Sequence, residues 1–313
     1  QRYTTDRVFA SDPGKKGDTR KPLALAQRNA IWEQMMQWVA DHAQKDNIRL
    51  LLHVGDIVEK GGDKSQYEMI AKGIARLDGN VPYVLAVGNH DNARLASEFF
   101  PVSRNPLNVK MFGGARTDGL ISDLYATLTI NGRKYLILTL DSNGYARNPA
   151  DAARDPRLKW ANDVVKDHPD CKVIFVTHQM LADAAAPGGT PSFITAGNYL
   201  FENFLKKHAN VYMTFCGHVF DRSGDGIATG YRKDLGEAKN VIHSTLLDTQ
   251  WIAATGGDGW MRIVEFYEDG RVVFKTYSPY LNEWNRGPGL EFEIPAVPAA
   301  TAAPAAPAIK KAG

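Results

Sequence analysis

The chain has 313 residues, 44% of them hydrophobic, enough to bury a full core, and it reads as one large domain rather than two small ones. With 37 Lys and Arg against 35 Asp and Glu, its formal net charge is +2 with no long run of one sign, so charge predicts neither a nucleic-acid nor a membrane surface. No apolar stretch approaches the ~18 to 20 residues that cross a bilayer, which leads us to expect a soluble protein, and two cysteines, Cys171 and Cys216, exclude a disulfide-dense scaffold.

Arg7 to Ser11 reads as a short strand into Asp12, followed by a Gly/Lys-rich loop. A helix follows over about Leu23 to Gln44, with Ile31, Met35 and Val39 at four-residue spacing. Leu50 to Val54 reads as a strand into Gly55-Asp56, Ser65 to Leu77 as a helix, and Val81 to Val87 as a strand into Gly88-Asn89-His90-Asp91. This β-α-β-α-β order favours a largely parallel sheet with helices on its faces. Two strand-like runs, Leu124 to Ile130 and Lys134 to Leu140, flank the hairpin signal Asn131-Gly132 and bring in antiparallel strands. A helix near Leu158 to Lys166 precedes the run Val173 to Thr177 into His178, and one near Asn198 to Lys207 precedes Val211 to Cys216 into Gly217-His218. If those two strands run parallel, Cys171 and Cys216 lie near opposite ends and cannot bridge. Asn240 to Leu247, Trp260 to Tyr267 and Arg271 to Tyr277 are the last strand-like runs, with Asp269-Gly270 as a hairpin turn. From Ile294 to Gly313 the Pro/Ala-rich composition reads as a disordered linker, leaving 1–293 as the domain. The start at Gln1, with neither Met nor a signal-like segment, suggests a processed export product or a trimmed chain.

Four of these apolar runs stop at side chains that bind metals, and crevices at strand ends are where open α/β sheets hold ligands. In chain order they read GD, GNHD, TH and GH, which resembles the calcineurin-like metallophosphoesterase superfamily from about Phe9 to Gly217 and beyond. The resemblance implies an α/β/β/α layered β-sandwich flanked by helices. It also implies hydrolysis of a phosphomonoester or phosphodiester by a metal-bound hydroxide, at a pair of divalent ions (Mn, Fe, Zn or Mg) ~3.5 to 4 Å apart.

Within that family pattern Asp56 bridges the metals, and Asn89, His178 and His218 complete one of them. The other metal normally takes the Asp and His of an early DxH motif and the second His of GHxH. Here Asp12-Pro13-Gly14 resembles a D-P-Q variant with glycine at the second ligand, and Gly217-His218-Val219-Phe220 ends in phenylalanine. We therefore expect one well-held metal and a second, weak or absent, on Asp12, Asp56 and water. Asp18-Thr19-Arg20 is an alternative first motif, resembling D-T-Q, but no apolar strand leads into it. His90, oriented by Asp91, is expected to assist the leaving group. Relatives with such first motifs are often exported, which implies an extracytoplasmic setting.

The remaining candidates are weaker. His42, His168 and His208 read as solvated, His53 and Cys216 as packed in strands, and His243 as a strand histidine and a candidate support for the metal ligands. Arg94, Arg116 and Arg222 are candidate phosphate clamps. Trp260 and Tyr277 read as core, while Trp251, Tyr280 and Trp284 are candidates to line a substrate mouth. Three readings stay open: a two-metal hydrolase, a one-metal hydrolase, and a binding module in which Phe220 fills the place of the missing metal.

Overall fold

The computed structural model describes all residues except 1, 6–17, 142, 144–151, 153, 185, 187, 222, 223, 225, 253 and 297–313. Asp12, Gly14, the strand expected at Arg7 to Ser11, and Arg222 lie outside the described residues.

Helix α1 (Leu25–His42) buries Ile31, Trp32, Met35, Met36 and Val39 along one stripe, as its spacing predicts. β1 (Leu51–His53) pairs in parallel with β2 (Tyr83–Leu85), and α2 (Lys64–Ile74) connects them, starting at the Asp63 cap that accepts from the Ser65 amide. The indole of Trp32 donates to the Ile70 carbonyl at 3.1 Å and locks α1 to α2. Two short helices follow, α3 (Ala93–Phe99) and α4 (Pro106–Met111).

A seven-stranded mixed sheet forms the other half. It contains β3 (Phe112–Ala115), the hairpin β4 (Leu124–Ile130) and β5 (Arg133–Thr139), β6 (Lys172–Val176), β7 (Val211–Cys216), β8 (Ala228–Leu235) and β9 (Val241–Asp248), in the order β3-β4-β5-β6-β7-β9-β8. β5, β6, β7 and β9 are parallel, so their C-terminal ends share one edge. α5 (Pro156–Asp167) and α6 (Thr195–Asn203) are the crossover helices. The chain closes with a smaller antiparallel sheet of β10 (Met261–Phe266), β11 (Val272–Ser278), β12 (Glu283–Asn285) and β13 (Phe292–Ile294).

Alternation along the seven-stranded sheet builds the layers. Ile137, Ile174, Val176 and Met213 join a core with Val84 and Leu85 of β2, Phe274 of β11 and Ile31 of α1. Leu136, Leu138, Val173 and Phe175 point the other way, onto Leu158 and Val165 of α5 and Leu200 of α6. The order helix, sheet, sheet, helix is the layered arrangement expected from the sequence. Between β1 and β10 a cavity of about 980 Å³ is lined by Leu52, Met261, Val264, Ile174 and Phe215. None of Asp56, Asn89, His178 and His218 lines it.

Several expectations change in the fold. β8 and β3 were not legible, because β8 is an edge strand carrying Arg232, Lys233 and Asp234, and β3 contains Gly113, whose Cβ would meet the Tyr125 ring at 2.1 Å. Ile294 is not in the tail but ends β13, paired with Val272 and buried. His208 is buried rather than solvated, with Nε2 2.7 Å from Asn162 Oδ1 and its ring edge-on to Phe204. His42 and His168 are half-buried, stacked on Trp38 and edge-on to Tyr125. His243 pairs with Met213 at the start of β7, away from the strand ends, where the Tyr231 hydroxyl meets its Nδ1 at 2.8 Å. Cys171 and Cys216 are both free and buried, at opposite ends of parallel neighbours.

Phe274 is fully buried and stacks on Phe292 at 4.4 Å, so Phe274→Ala is expected to cost ~3–5 kcal/mol by loss of packing. Urea unfolding reads this as a lower midpoint at unchanged slope. Burial holds His243 at about 4, so unfolding below its ordinary pKa takes up a proton. The stability it confers is complete above ~6.5 and is lost as pH falls toward 4. The advantage of wild type over His243→Gln should shrink across that window in chelator-treated protein, measured by urea midpoints.

Candidate metal centre

The centre begins where β1 and β2 end. Because they are parallel, the loops after both leave the same edge, and the Ala86 amide extends the ladder to the His53 carbonyl at 2.9 Å. The chain then turns through Gly55 at φ 95 and Asp56 at φ 53, left-handed conformations that Gly and Asp tolerate. The two loops touch so closely that a Cβ on Gly88 would sit 2.2 Å from Asp56 Oδ1. That contact demands glycine.

Asp91 locks the loops together. Its carboxylate accepts from the backbone amides of Ile57 at 3.0 Å, Val58 at 3.0 Å and Gly88 at 2.8 Å. Burial still raises its pKa, against those three donors. The His90 ring is oriented by Glu59 and not by Asp91, the partner expected from the motif. His90 Nδ1 lies 2.8 Å from the Glu59 carbonyl, which can only accept, so Nδ1 carries the proton and Nε2 is the free atom. Asp91 is occupied by amides because a buried carboxylate takes the densest set of donors within reach.

His178 follows β6 and His218 follows β7, on adjacent parallel strands. His178 Nδ1 meets the Val54 carbonyl at 2.9 Å, which leaves Nε2 facing inward. Nε2 lies 3.1 Å from Asp56 Oδ1, 3.1 Å from Asn89 Oδ1 and 3.0 Å from His218 Nδ1. His218 sits at φ 78, a strained conformation for histidine held by its neighbour Gly217, whose amide donates to the His178 carbonyl at 3.1 Å. Asp56, His178 and His218 each offer a ligand atom, all within 4.8 Å of one another, and Asn89 Oδ1 adds a fourth donor atom.

The electrostatics favour a cation in this space. Burial pushes Asp56 up, but the hydrogen bond and charge of His178 and the His90 amide outweigh it and hold Asp56 at about 2. Burial pulls His178 down, yet Asp56 raises it, so a positive charge at Nε2 is what Asp56 selects. His218 falls to about 4 through burial and then the charge of His178, and stays a neutral imidazole with a lone pair to share. Two imidazoles, a carboxylate and an amide oxygen form a mixed N/O donor set that suits Zn, Fe or Mn.

Other expected residues fall elsewhere. Asp18 pairs with Arg20, which also bridges to Asp258 at 2.8 Å, and Asp18 is not among the clustered ligands. Arg116 pairs with buried Asp123 at 2.8 Å rather than standing free. His53 is half-buried and takes the Gly55 amide on Nδ1 at 3.2 Å; burial lowers it to about 3, so it supports the turn as a neutral ring. Phe220 does not fill the place of a metal, since it is 63% exposed and stacked on Trp251.

Three contributors were not anticipated: Val54 through its carbonyl, Glu59 through its carbonyl, and Asp248. Asp248 ends β9, beside the end of β7, with Cys216 paired to Leu246. Burial raises it to about 6, and the charges of His178 and Asp56 act on it. Its signal was present, since Leu246-Leu247-Asp248 repeats the apolar run into a carboxylate seen at Asp56.

Residues 8–221 match the family model of calcineurin-like phosphoesterases, more than half of the chain. The chain belongs to the calcineurin-like phosphoesterase family. Among curated relatives, the uncharacterized protein YvnB of Bacillus subtilis is 28% identical over 265 residues, 82% of this chain and 19% of that protein. The probable glycerophosphodiester phosphodiesterase GpdQ of Arcobacter nitrofigilis is 25% identical over 171 residues, 54% of this chain and 56% of that one. The chain thus spans only part of each relative. Among solved structures, TT1561 of Thermus thermophilus aligns at TM-score 0.37 and 12% identity over 81% of this chain and 91% of that one. Metal-dependent phosphoester chemistry is typical of calcineurin-like proteins, and the clustered ligands are consistent with it.

Gly88→Ala forces Asp56 Oδ1 away from a Cβ at 2.2 Å. Mn²⁺ affinity by titration calorimetry is expected to fall ~10- to 100-fold, the scale of losing a residue that orients a ligand.

Proposed function

We propose that this chain hydrolyses phosphoesters at a metal centre formed by Asp56, Asn89, His178 and His218. The observation that carries the reading is the convergence of four donor atoms from four strand ends on one point, with His178 Nε2 at 3.0 to 3.1 Å from the other three. A divalent ion held there would activate a water and neutralise charge on the phosphoryl oxygens.

The protein's own groups do the rest. Val54 fixes the tautomer of His178, and Asp91 clamps the loops of Asp56 and Asn89 into one unit. His90, whose Nδ1–H is held by the Glu59 carbonyl, keeps Nε2 for the substrate; in the doubly protonated imidazolium form Nε2–H gives its proton to the leaving oxygen or stabilises the charge there. Asp12 is proposed, from its motif, to join Asp56 at a second and weaker ion. The name of the Arcobacter relative makes a phosphodiester the first substrate to assay, with the monoester beside it.

One feature favours a second reading. Phe220 stands where the last imidazole of a GHxH motif would be, which supports a binding module that keeps one metal and does not turn over.

Elemental analysis after loading with Mn²⁺, beside hydrolysis of an aryl phosphodiester and monoester, separates the two. His218→Ala is expected to lose bound metal and turnover together. His90→Ala is expected to keep its metal and slow the reaction by ~10²–10⁴-fold. Metal-loaded wild type inert on both esters would replace the hydrolase with the binding module.

A further inference from the structure

Phe220 is the most exposed large hydrophobic side chain among the described residues, at 63%. It follows His218 by two residues, so chain geometry alone keeps its Cα within about 7 Å of that ligand's. One face of its ring is taken by Trp251, at 4.4 Å between centroids and 23° between planes. Trp251 is itself buried at 5% exposure, and its indole donates to the Val219 carbonyl at 2.8 Å. The platform is therefore held from behind by a fixed tryptophan.

Both loops that build it rise from the edge that carries the metal-capable residues. Phe220 lies on the loop after β7, and Trp251 follows Asp248 at the end of β9, the parallel neighbour of β7. A single exposed apolar residue is ordinary on a protein surface. A ring that is backed on one face by a buried tryptophan, still 63% exposed, and two residues from a metal-capable histidine is a different object. Its chemistry suits a second flat π-system, which stacks at a cost of little ordering, whereas an aliphatic polyol offers no face to match.

We propose that Phe220 is a stacking platform for a flat ring carried by the substrate, so that the centre prefers nucleoside or aryl phosphoesters over phosphoesters of small polyols. This deepens the hydrolytic reading above and rests on it for the position of the phosphoryl group. The substitution that removes an imidazole from the last position of the motif thereby supplies a recognition surface.

The test uses the full Mn²⁺-loaded chain in the His90→Ala background, where turnover is slowed, and titrates adenosine 5′-monophosphate, p-nitrophenyl phosphate and glycerol 3-phosphate by calorimetry. The ring-bearing esters are expected to bind more tightly than glycerol 3-phosphate by on the order of tenfold. Phe220→Ala should collapse that ratio, and Phe220→Tyr should retain it. A lead of the adenosine ester over the nitrophenyl ester identifies a nucleoside substrate, and equal affinities identify a general aryl preference. An equal ratio with and without the Phe220 ring, no ratio at all, or no binding of any ester overturns the platform. Hydrolysis by wild type, assayed in parallel, reports separately on the reaction: a ring preference without turnover keeps the platform and removes the hydrolase, and turnover without preference does the reverse.

Discussion

The contact between His178 Nδ1 and the Val54 carbonyl, at 2.9 Å, joins the two halves of this molecule at the point where its chemistry is proposed. Val54 belongs to the loop after β1, and His178 to the loop after β6 in the seven-stranded sheet. Because the carbonyl can only accept, the contact puts a proton on Nδ1, and because the acceptor is backbone of the loop after β1, it fixes the His178 ring against that loop. Everything inward of it follows. Nε2 turns toward Asp56 and Asn89, the Gly217 amide closes on the His178 carbonyl, and His218 is brought to the same point in a strained backbone conformation.

A cluster of this kind is costly to assemble without a cation, since it brings together lone pairs and a buried carboxylate. The molecule offsets the cost with backbone donors rather than arginines. Asp91 takes three amides and Asp56 takes the amide of His90. The negative charge left on Asp56 is balanced by the affinity of His178 for a proton, which Asp56 itself raises. A space that selects positive charge at a single point, with neutral His218 beside it, is the electrostatic counterpart of a metal site. Asp248, at the next strand end, is pushed toward its neutral form by burial.

The layered fold explains why these groups can meet. Parallel order within β1–β2 and within β5–β6–β7–β9 puts the ends of both sets on common edges, and the shared core of Ile174, Met213, Leu85 and Phe274 presses the sheets face to face. A hydrophobic interface of that kind fixes register because a one-residue slip would turn every core side chain outward. The same slip would move each ligand out of the centre. Packing and chemistry are therefore coupled through strand register.

The residues alone carried the helices with a periodic stripe, the strands that run into Asp56, Asn89, His178 and His218, and the hairpin at Asn131-Gly132. Those features are legible because they are local: a 3.6-residue stripe, an apolar run that stops at a polar group, and a turn dipeptide each announce themselves within a few residues. Edge strands such as β8 stayed hidden, since charged edges break the alternation that marks a strand. The fold alone decided that Asp91 clamps loops while Glu59 orients His90, that His243 serves a tyrosine far from the strand ends, and that Phe220 turns out onto Trp251. Each of those is a choice of partner between residues distant in sequence, made by which donors and rings the packed sheets bring within reach, and no local pattern encodes it.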